Sequence, residues 1–276
     1  MANIRLFVCC HKPFAVPEHP LLVPIQVGAA LAQEHFPGFV HDDTGENISE
    51  KNRSYCELTA QYWAWKNDGA DYVGFFHYRR YLEPRPQAKR PYRLQAQPAA
   101  AMVDGLGQLT ERYDILAPIA EDMHLSVREH YAGAPYHHEA DLALVEAIIR
   151  EKTPEFVPAM ERYLSGSRCY FGNIYVMKRS LFHAYCGWLF PILEEFDRRC
   201  DLSGYGVQEL RVDGYLAERL FGVWLTHVRD GLNVLELPRV HFEPDAAARR
   251  KKCLLNALLP PGSRRRAWVK GVRRNR

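Results

Sequence analysis

The sequence predicts an α/β fold, a single sandwich of helices around a mostly parallel central sheet. Three observations carry this expectation. An apolar strand, Ile4 to Cys9, opens the chain, and a second, Asp71-Tyr-Val-Gly-Phe-Phe76, delivers a charged cluster at its carboxyl end. Between and after them run segments whose apolar residues recur at helical spacing. At 276 residues the chain exceeds a typical domain, but one sheet with flanking helices often reaches this size around one core.

Taken in order, Ile4 to Cys9 leaves through His-Lys-Pro-Phe, and Val23 to Gly28 forms the next strand. Pro13, Pro17, Pro20 and Pro24 exclude a regular helix between them and leave a loop able to fold over a ligand. Asp42 to Asn52 is polar and turn-rich and leads into a helix carrying Tyr55, Leu58, Tyr62 and Trp65, which stops at Asn67-Asp68-Gly69. After the strand ending at Phe76 come His77-Tyr-Arg-Arg-Tyr81, placed where open α/β sheets bind ligands. Residues 84–100, with four prolines, read as a surface loop. A strand from Tyr113 to Ala117, a helix from Ala140 to Arg150 and a strand from Tyr170 to Met177 follow. Leu181 to Phe196 reads as an amphipathic helix bent or broken near Pro191, and Leu216, Leu220, Trp224 and His227 mark one face of another.

Composition narrows the class. No apolar run approaches the ~20 residues a membrane-spanning helix needs, and the first residues lack the pattern of a secretion signal. Seven scattered cysteines without a C-x-x-C pair fit reduced thiols in the cytoplasm, with Cys9 and Cys10 read as packing. The net charge of +3 is uneven: residues 249–276 hold 11 Lys or Arg and no acid, leaving 25 bases against 33 acids before them, a net of −8. That balance argues against a nucleic-acid binder. A basic tail on an acidic body suits an anionic lipid surface, where each base contributes about 1 kcal/mol.

Guanidinium forks match phosphate oxygens, so Arg79 and Arg80 suit a diphosphate, although a structural ion pair accounts for them almost as well. Asp42 to Ser49 fits a capped turn and a ligand-facing loop equally; it lacks the spacing of a calcium loop. His124, His130, His137 and His138 lack zinc-site spacing and read as polar surface. No Walker loop and no G-x-S-x-G motif occurs. Glu218, opposite the Leu216 and Leu220 face, fits a solvated acid or a catalytic carboxylate.

Five strings in order shift this balance: Cys10-His-Lys-Pro13, Asp43-Thr-Gly-Glu-Asn-Ile-Ser49, Cys56-Glu-Leu-Thr-Ala-Gln-Tyr-Trp-Ala-Trp-Lys-Asn67, Asp71 to Leu82, and Gly214-Tyr-Leu-Ala-Glu-Arg-Leu220. Together they resemble a bacterial capsular and exopolysaccharide glycosyltransferase family long catalogued as a domain of unknown function. The resemblance spans about Ile4 to about His241. It implies a glycosyltransferase A-like nucleotide-binding α/β/α sandwich in residues 1–245; beyond it, the charge distribution reads 246–276 as a basic, membrane-associating tail.

The activity implied is transfer of a hexose, galactose being the family-weighted choice, from a nucleotide diphosphate sugar such as a uridine diphosphate hexose. The acceptor implied is a saccharide or lipid-linked saccharide in capsule, O-antigen or exopolysaccharide assembly. Many such folds carry a metal-binding Asp-x-Asp at the end of the donor strand. This chain has His77-Tyr78-Arg79 there. His77 with Arg79 or Arg80 could supply positive charge directly, so no metal is expected, with Asp42 and Asp43 in reserve for Mn or Mg.

Carried onto this sequence, His11 and Lys12 approach the diphosphate. Asp43, Asn47, Ser49 and Asn52 line the base and ribose, and Glu57 anchors the loop or a donor hydroxyl. Asn173, Arg211 and Tyr215 form the acceptor half, with Glu218 first and Asp213 second as the base an inverting enzyme requires. Tyr78, Tyr81 and Tyr170 are candidates to stack on sugar rings.

In the tail, Arg249-Arg-Lys-Lys precedes Leu254, Leu255, Leu258 and Leu259, with Trp268 beyond, which suits an interfacial helix at the inner face of the cell membrane. Two other classes fit the same residues: a non-catalytic saccharide-binding or assembly protein, and a phosphosugar transferase that would release a nucleoside monophosphate.

Overall fold

The computed structural model describes residues 2–86, 98–259 and 265. β1 (Ile4–Cys10) runs through the middle of a nine-stranded sheet. β2 (Leu22–Gln26) pairs with it in parallel, and β3 (Val40–His41) continues outward, also parallel. On the other side β4 (Tyr72–His77) pairs in parallel with β1, then turns into the short antiparallel β5 (Arg80–Leu82). Beyond β4 the order is β9 (Tyr175–Lys178), β6 (Ile115–Pro118) and β10 (Val234–Leu237), and β11 (Arg239–His241) pairs with β5. β9 is antiparallel to both neighbours, while β6 and β10 are parallel. β7 (Glu121–Asp122) and β8 (Arg168–Cys169) form a separate two-stranded ribbon.

The helices are α1 (Asn52–Tyr55), α2 (Leu58–Asn67), α3 (Ala100–Leu109), α4 (Val127–Ala132), α5 (Glu139–Lys152), α6 (Val157–Ser165), α7 (Arg179–Arg199), α8 (Val212–Val228) and α9 (Ala246–Leu258). The alternation of β1 assigns its faces. Leu6, Val8 and Cys10 join Phe76, Tyr81, Val240 and Phe242 in one core, while Phe7 and Cys9 join Phe75, Tyr175 and Trp224 in the other. Each fully buried aromatic or aliphatic side chain contributes roughly 1.5–3 kcal/mol. On the larger face α8 lies against α6 so closely that a Cβ on Gly222 would fall 1.9 Å from the Tyr163 ring.

The α/β class and the mostly parallel sheet stand as read from the sequence, with β9 reversed. The strand expected from Tyr170 begins only at Tyr175, because Gly172 (φ 95) and Asn173 (φ 48) turn the backbone away from extended geometry. α7 continues unbroken through Pro191. The carbonyl that loses its intrahelical donor to the proline belongs to Gly187, which is exposed, so water can take that hydrogen bond. Of the loop expected at 84–100, residues 87–97 lie outside those described, as does Trp268, and Ala100 already starts α3. Among the described residues no helix is long and apolar enough to cross a membrane.

Candidate functional site

The register of the two central strands builds the site. Cys9 faces His77 across the β1–β4 ladder, so His11-Lys12 and Tyr78-Arg79-Arg80 leave the sheet at one level. Tyr78 is buried and organises the edge: His11 meets its ring edge-on at 5.4 Å, Lys12 Nζ stands 5.7 Å from its centre and the Arg79 guanidinium 5.1 Å. The backbone N–H of Arg79 donates to His77 Nδ1 at 3.2 Å, leaving Nε2 to carry any proton of the neutral ring. Because β11 pairs with β5, His241 lies opposite Arg80.

These imidazoles are held neutral. Burial, then the charges of Arg80 and Arg79, push His77 down to about 2, and burial with Arg80 and Lys252 pushes His241 down to about 4. His11 is lowered by burial, Lys12, Arg211 and Arg79. The expectation that His77 itself supplies positive charge is therefore corrected: the charge at this edge sits on Lys12, Arg79, Arg80 and Arg211, and burial, reinforced by their repulsion, keeps the imidazoles uncharged. Arg79 Nε is buried with no hydrogen-bond partner among the described residues. Arg80 reaches solvent, yet burial by its surroundings and the nearby Arg239 lower its pKa, as happens when a guanidinium lines a concave cleft. Such a set of convergent, under-compensated cations suits a polyanion.

The Asp42 to Asn52 block folds as scaffold. Asp42, completely buried, accepts hydrogen bonds from Gly28 N (2.8 Å), Ala29 N (2.9 Å) and Ser49 Oγ (2.5 Å). It holds the left-handed turn at Gly28 and, being completely buried, presents no oxygen to a ligand. Ser49 is also fully buried and takes the N–H of Ala30. Asn47 spends its amide on Asp43 O, Gly45 O and Ser49 N, and Asn52 donates to Cys56 O and Thr59 Oγ1. The reading of Asn47, Ser49 and Asn52 as ligand-lining, and of Asp42 as a reserve metal ligand, gives way to this turn chemistry. Asp43 differs: Oδ2 meets His35 Nε2 at 2.9 Å, and Oδ1 is buried without a partner among the described residues. Among the described residues no group of three or more His, Cys, Asp or Glu is arranged around a metal position.

The opposite wall comes from the β8–β9 turn and α8. Asn173 Nδ2 donates to Glu57 Oε1 (2.8 Å) and to Gly214 O (3.1 Å). Gly214 sits where α8 passes Cys56; a Cβ there would lie 3.3 Å from both Cβ and Sγ of Cys56. Arg211 Nε donates to Cys56 Sγ at 3.3 Å and faces His11, so a residue assigned to the acceptor half joins the cation cluster. Glu218 receives Gly172 N at 2.7 Å and Arg219 Nη1 at 2.8 Å. Tyr215 stacks on His137 at 4.2 Å and donates to Gln208 O. His137 is pushed down to about 4, mainly by burial, and is an aromatic packing partner, not a polar surface residue.

Two further readings are corrected. Asp213 is completely buried against Ser54, so it does not meet a hydroxyl entering from the cleft. Tyr78, Tyr81 and Tyr170 are 1%, 0% and 6% exposed and serve packing, which leaves no ring face for a sugar.

Three participants escaped the sequence reading. Arg219, 2% exposed, lies between the rings of Tyr131 (5.1 Å) and Phe171 (5.4 Å) and clamps Glu218. Arg239 pairs with Glu121 and reaches Phe171 O, beside Arg80. His241 closes the same edge. The alternation Arg239-Val240-His241, which places two polar side chains on one strand face, was the available signal for the last two.

The comparisons bear on family and fold. A family model described as "Domain of unknown function (DUF4422)" matches residues 5–229. No curated protein matches. A solved structure, the WbbM bifunctional glycosyltransferase in its apo form, is similar at 33% identity and a TM-score of 0.81, over 87% of this chain and 45% of that one. The chain thus spans less than half the length of this solved relative, and shares an α/β fold with that part of it. On the match of residues 5–229, the chain belongs to the family described as DUF4422, the glycosyltransferase-like family formerly of unknown function that its sequence strings resemble.

Proposed function

We propose that this protein is a glycosyltransferase that moves a hexose, galactose being the first candidate, from a nucleotide diphosphate sugar to a saccharide or lipid-linked saccharide acceptor. Such a product belongs in a surface polysaccharide: capsule, O-antigen or exopolysaccharide. The observation that carries this reading is the cation cluster at the carboxyl ends of β1 and β4, with Arg79 Nε buried and unpartnered among the described residues. His11, Lys12, His77, Arg79, Arg80 and Arg211 surround the diphosphate, Asp43 lies on the base and ribose side, and Tyr215 receives the acceptor. Charge on the departing diphosphate is offset by Lys12, Arg79, Arg80 and Arg211, so the reaction needs no divalent metal.

The reading extends to the membrane. α9 is capped by Asp245 and held to the body through Lys252 with Glu243 and Arg249 with Glu243 O, while Leu254, Leu255 and Leu258 are exposed. Bases beside exposed leucines suit the inner face of the cell membrane, where lipid-linked acceptors reside.

Thermal stability in a panel of nucleoside diphosphates and nucleotide sugars, with and without magnesium or manganese, tests the donor site. One nucleotide should stabilise the protein selectively, and Arg79→Ala should abolish the effect. Release of a nucleoside monophosphate would indicate phosphosugar transfer instead, and saccharide binding without any nucleotide response would indicate a binding protein.

A further inference from the structure

Two carboxylates, Glu57 and Glu218, lie near each other and near Arg80 and Arg211 of the cation cluster, and their surroundings differ. Both oxygens of Glu218 are engaged, one by the N–H of Gly172 and the other by the buried guanidinium of Arg219. Glu218 is thus taken up as the ion-pair partner of Arg219, whose guanidinium lies between the rings of Tyr131 and Phe171. Glu57 is half-buried at the start of α2, and its side-chain partner is the neutral amide of Asn173.

One end of that hydrogen bond follows strained backbone and the other stands on a left-handed turn. Cys56, immediately before Glu57, has φ 53 and ψ −128, and Asn173 has φ 48. Asparagine tolerates the left-handed region, but the angles of Cys56 are rare for any residue other than glycine, and such strain gathers where a group must be aimed. The Asn52 amide holds the turned carbonyl of Cys56 at 2.6 Å, and Gly214 lets α8 close over it. The two turns, distant in sequence, meet in the one hydrogen bond between Asn173 and Glu57.

We propose that Glu57 is the catalytic carboxylate of the transfer reaction, with Asn173 as its positioning residue. The assignment rests on the donor reading above. In the step it performs, a Glu57 oxygen takes the proton of the acceptor hydroxyl as that hydroxyl's oxygen bonds to the anomeric carbon. The bond from the anomeric carbon to the phosphate oxygen breaks, its electron pair leaving on the diphosphate beside Lys12, Arg79 and Arg80. The products are an inverted glycoside, a nucleoside diphosphate and protonated Glu57, which returns its proton to water.

Burial and the neighbouring Glu218 raise the proton affinity of Glu57, opposed by Asn173 and Arg211. Arg80, Cys9, Cys56 and Tyr175 complete the titratable groups facing it from β5, β1, the α1–α2 junction and β9. The assay is nucleoside diphosphate release by the full chain, run with thermal stabilisation by the same nucleotide. Glu57→Gln should keep stabilisation and lose 10²–10⁴-fold in kcat, roughly the scale of one general base. Glu218→Gln, corrected for the fraction folded, should lose less. Asn173→Ala removes a hydrogen bond to the charged form, so the acid limb of its kcat/KM profile should move to higher pH, a readout that holds even where Glu57→Gln folds poorly. Normal stabilisation with Glu57→Gln turnover within tenfold of wild type overturns this assignment alone, as does a product of retained configuration. No nucleotide response in the wild type overturns the donor reading together with it.

Discussion

The amide of Asn173 bridges Glu57 Oε1 and the carbonyl of Gly214, tying the start of α2 to the first turn of α8 across the floor of the cleft. The wall that carries Glu57 and the wall that carries Glu218 are thereby fixed relative to each other. The cation cluster, set by the β1–β4 register, is fixed to both through Arg211 and Cys56. Four predictions follow from how these parts are held.

The neutral imidazoles predict proton uptake on donor binding. His77 and His241 lie well below their ordinary value, and His11 is lowered too, by burial and by the neighbouring guanidiniums. A diphosphate would offset those guanidiniums and raise all three, so binding takes up protons and tightens as pH falls from 7 towards 5. Calorimetry of nucleoside diphosphate binding in buffers of different ionisation enthalpy measures this directly, and proton release would contradict it.

Asp213 gives a stability prediction of definite sign. Burial and the nearby Asp197 push its carboxyl up to about 8, against about 3.9 in an unfolded chain. The folded state therefore binds the extra proton between those values. Its contribution to stability is fully present below about pH 4 and is lost as pH rises to about 8. Asp213→Asn should thus raise the melting temperature relative to wild type at pH 8 and above, with the gain shrinking towards pH 4, as thermal unfolding across pH would show.

Helix packing supplies a matched pair of glycine substitutions. Gly222→Ala drives a methyl group into the Tyr163 ring and should cost about 1–3 kcal/mol or more by overpacking. Gly187→Ala places the same methyl group in open space within α7 and should stabilise by up to about 1 kcal/mol. Urea unfolding of the two variants should move the midpoints in opposite directions.

The exposed leucines of α9 predict vesicle binding. Leu254→Glu combined with Leu258→Glu should abolish flotation with vesicles containing anionic lipid, and raising the salt should weaken the wild type. Nucleotide-induced stabilisation should be unchanged in the double variant, since neither leucine lies in the cleft. Equal flotation of variant and wild type would contradict the membrane reading.

Much of the frame was legible because strand alternation and helical periodicity are local signals. The strand Asp71 to Phe76 and its charged exit, the helix through Tyr62 and the helix at Ala140 to Arg150 all sit where the pattern places them. α3 was not read because Gly105 and Gly107 weaken its helical signature, and β9 was read too long because the turn signal of Gly172-Asn173 sits inside an otherwise apolar, alternating run. Site residues divide in the same way. His11, Lys12, Arg79 and Arg80 are identified by their place at strand ends. The roles of Asn47, Ser49 and Asn52 depend on which backbone groups need satisfying nearby, and that is decided only when the turns close. Arg219 beside Glu218 is an ordinary helical sequence; its meaning comes from the Tyr131 and Phe171 rings, which arrive from distant segments.

The central claim is that the cations at the ends of β1 and β4 bind a nucleoside diphosphate, and the most direct measurement is thermal unfolding in a nucleotide panel. A nucleotide at about 100 times its Kd should add about 2.7 kcal/mol to the stability of the folded state. The account predicts such a response to one nucleoside diphosphate and its sugar conjugates, with or without divalent metal, and its loss in both Arg79→Ala and Arg80→Ala. A response that requires magnesium or manganese would contradict the metal-independent form of the account, and no response to any nucleotide under either condition would contradict the claim itself.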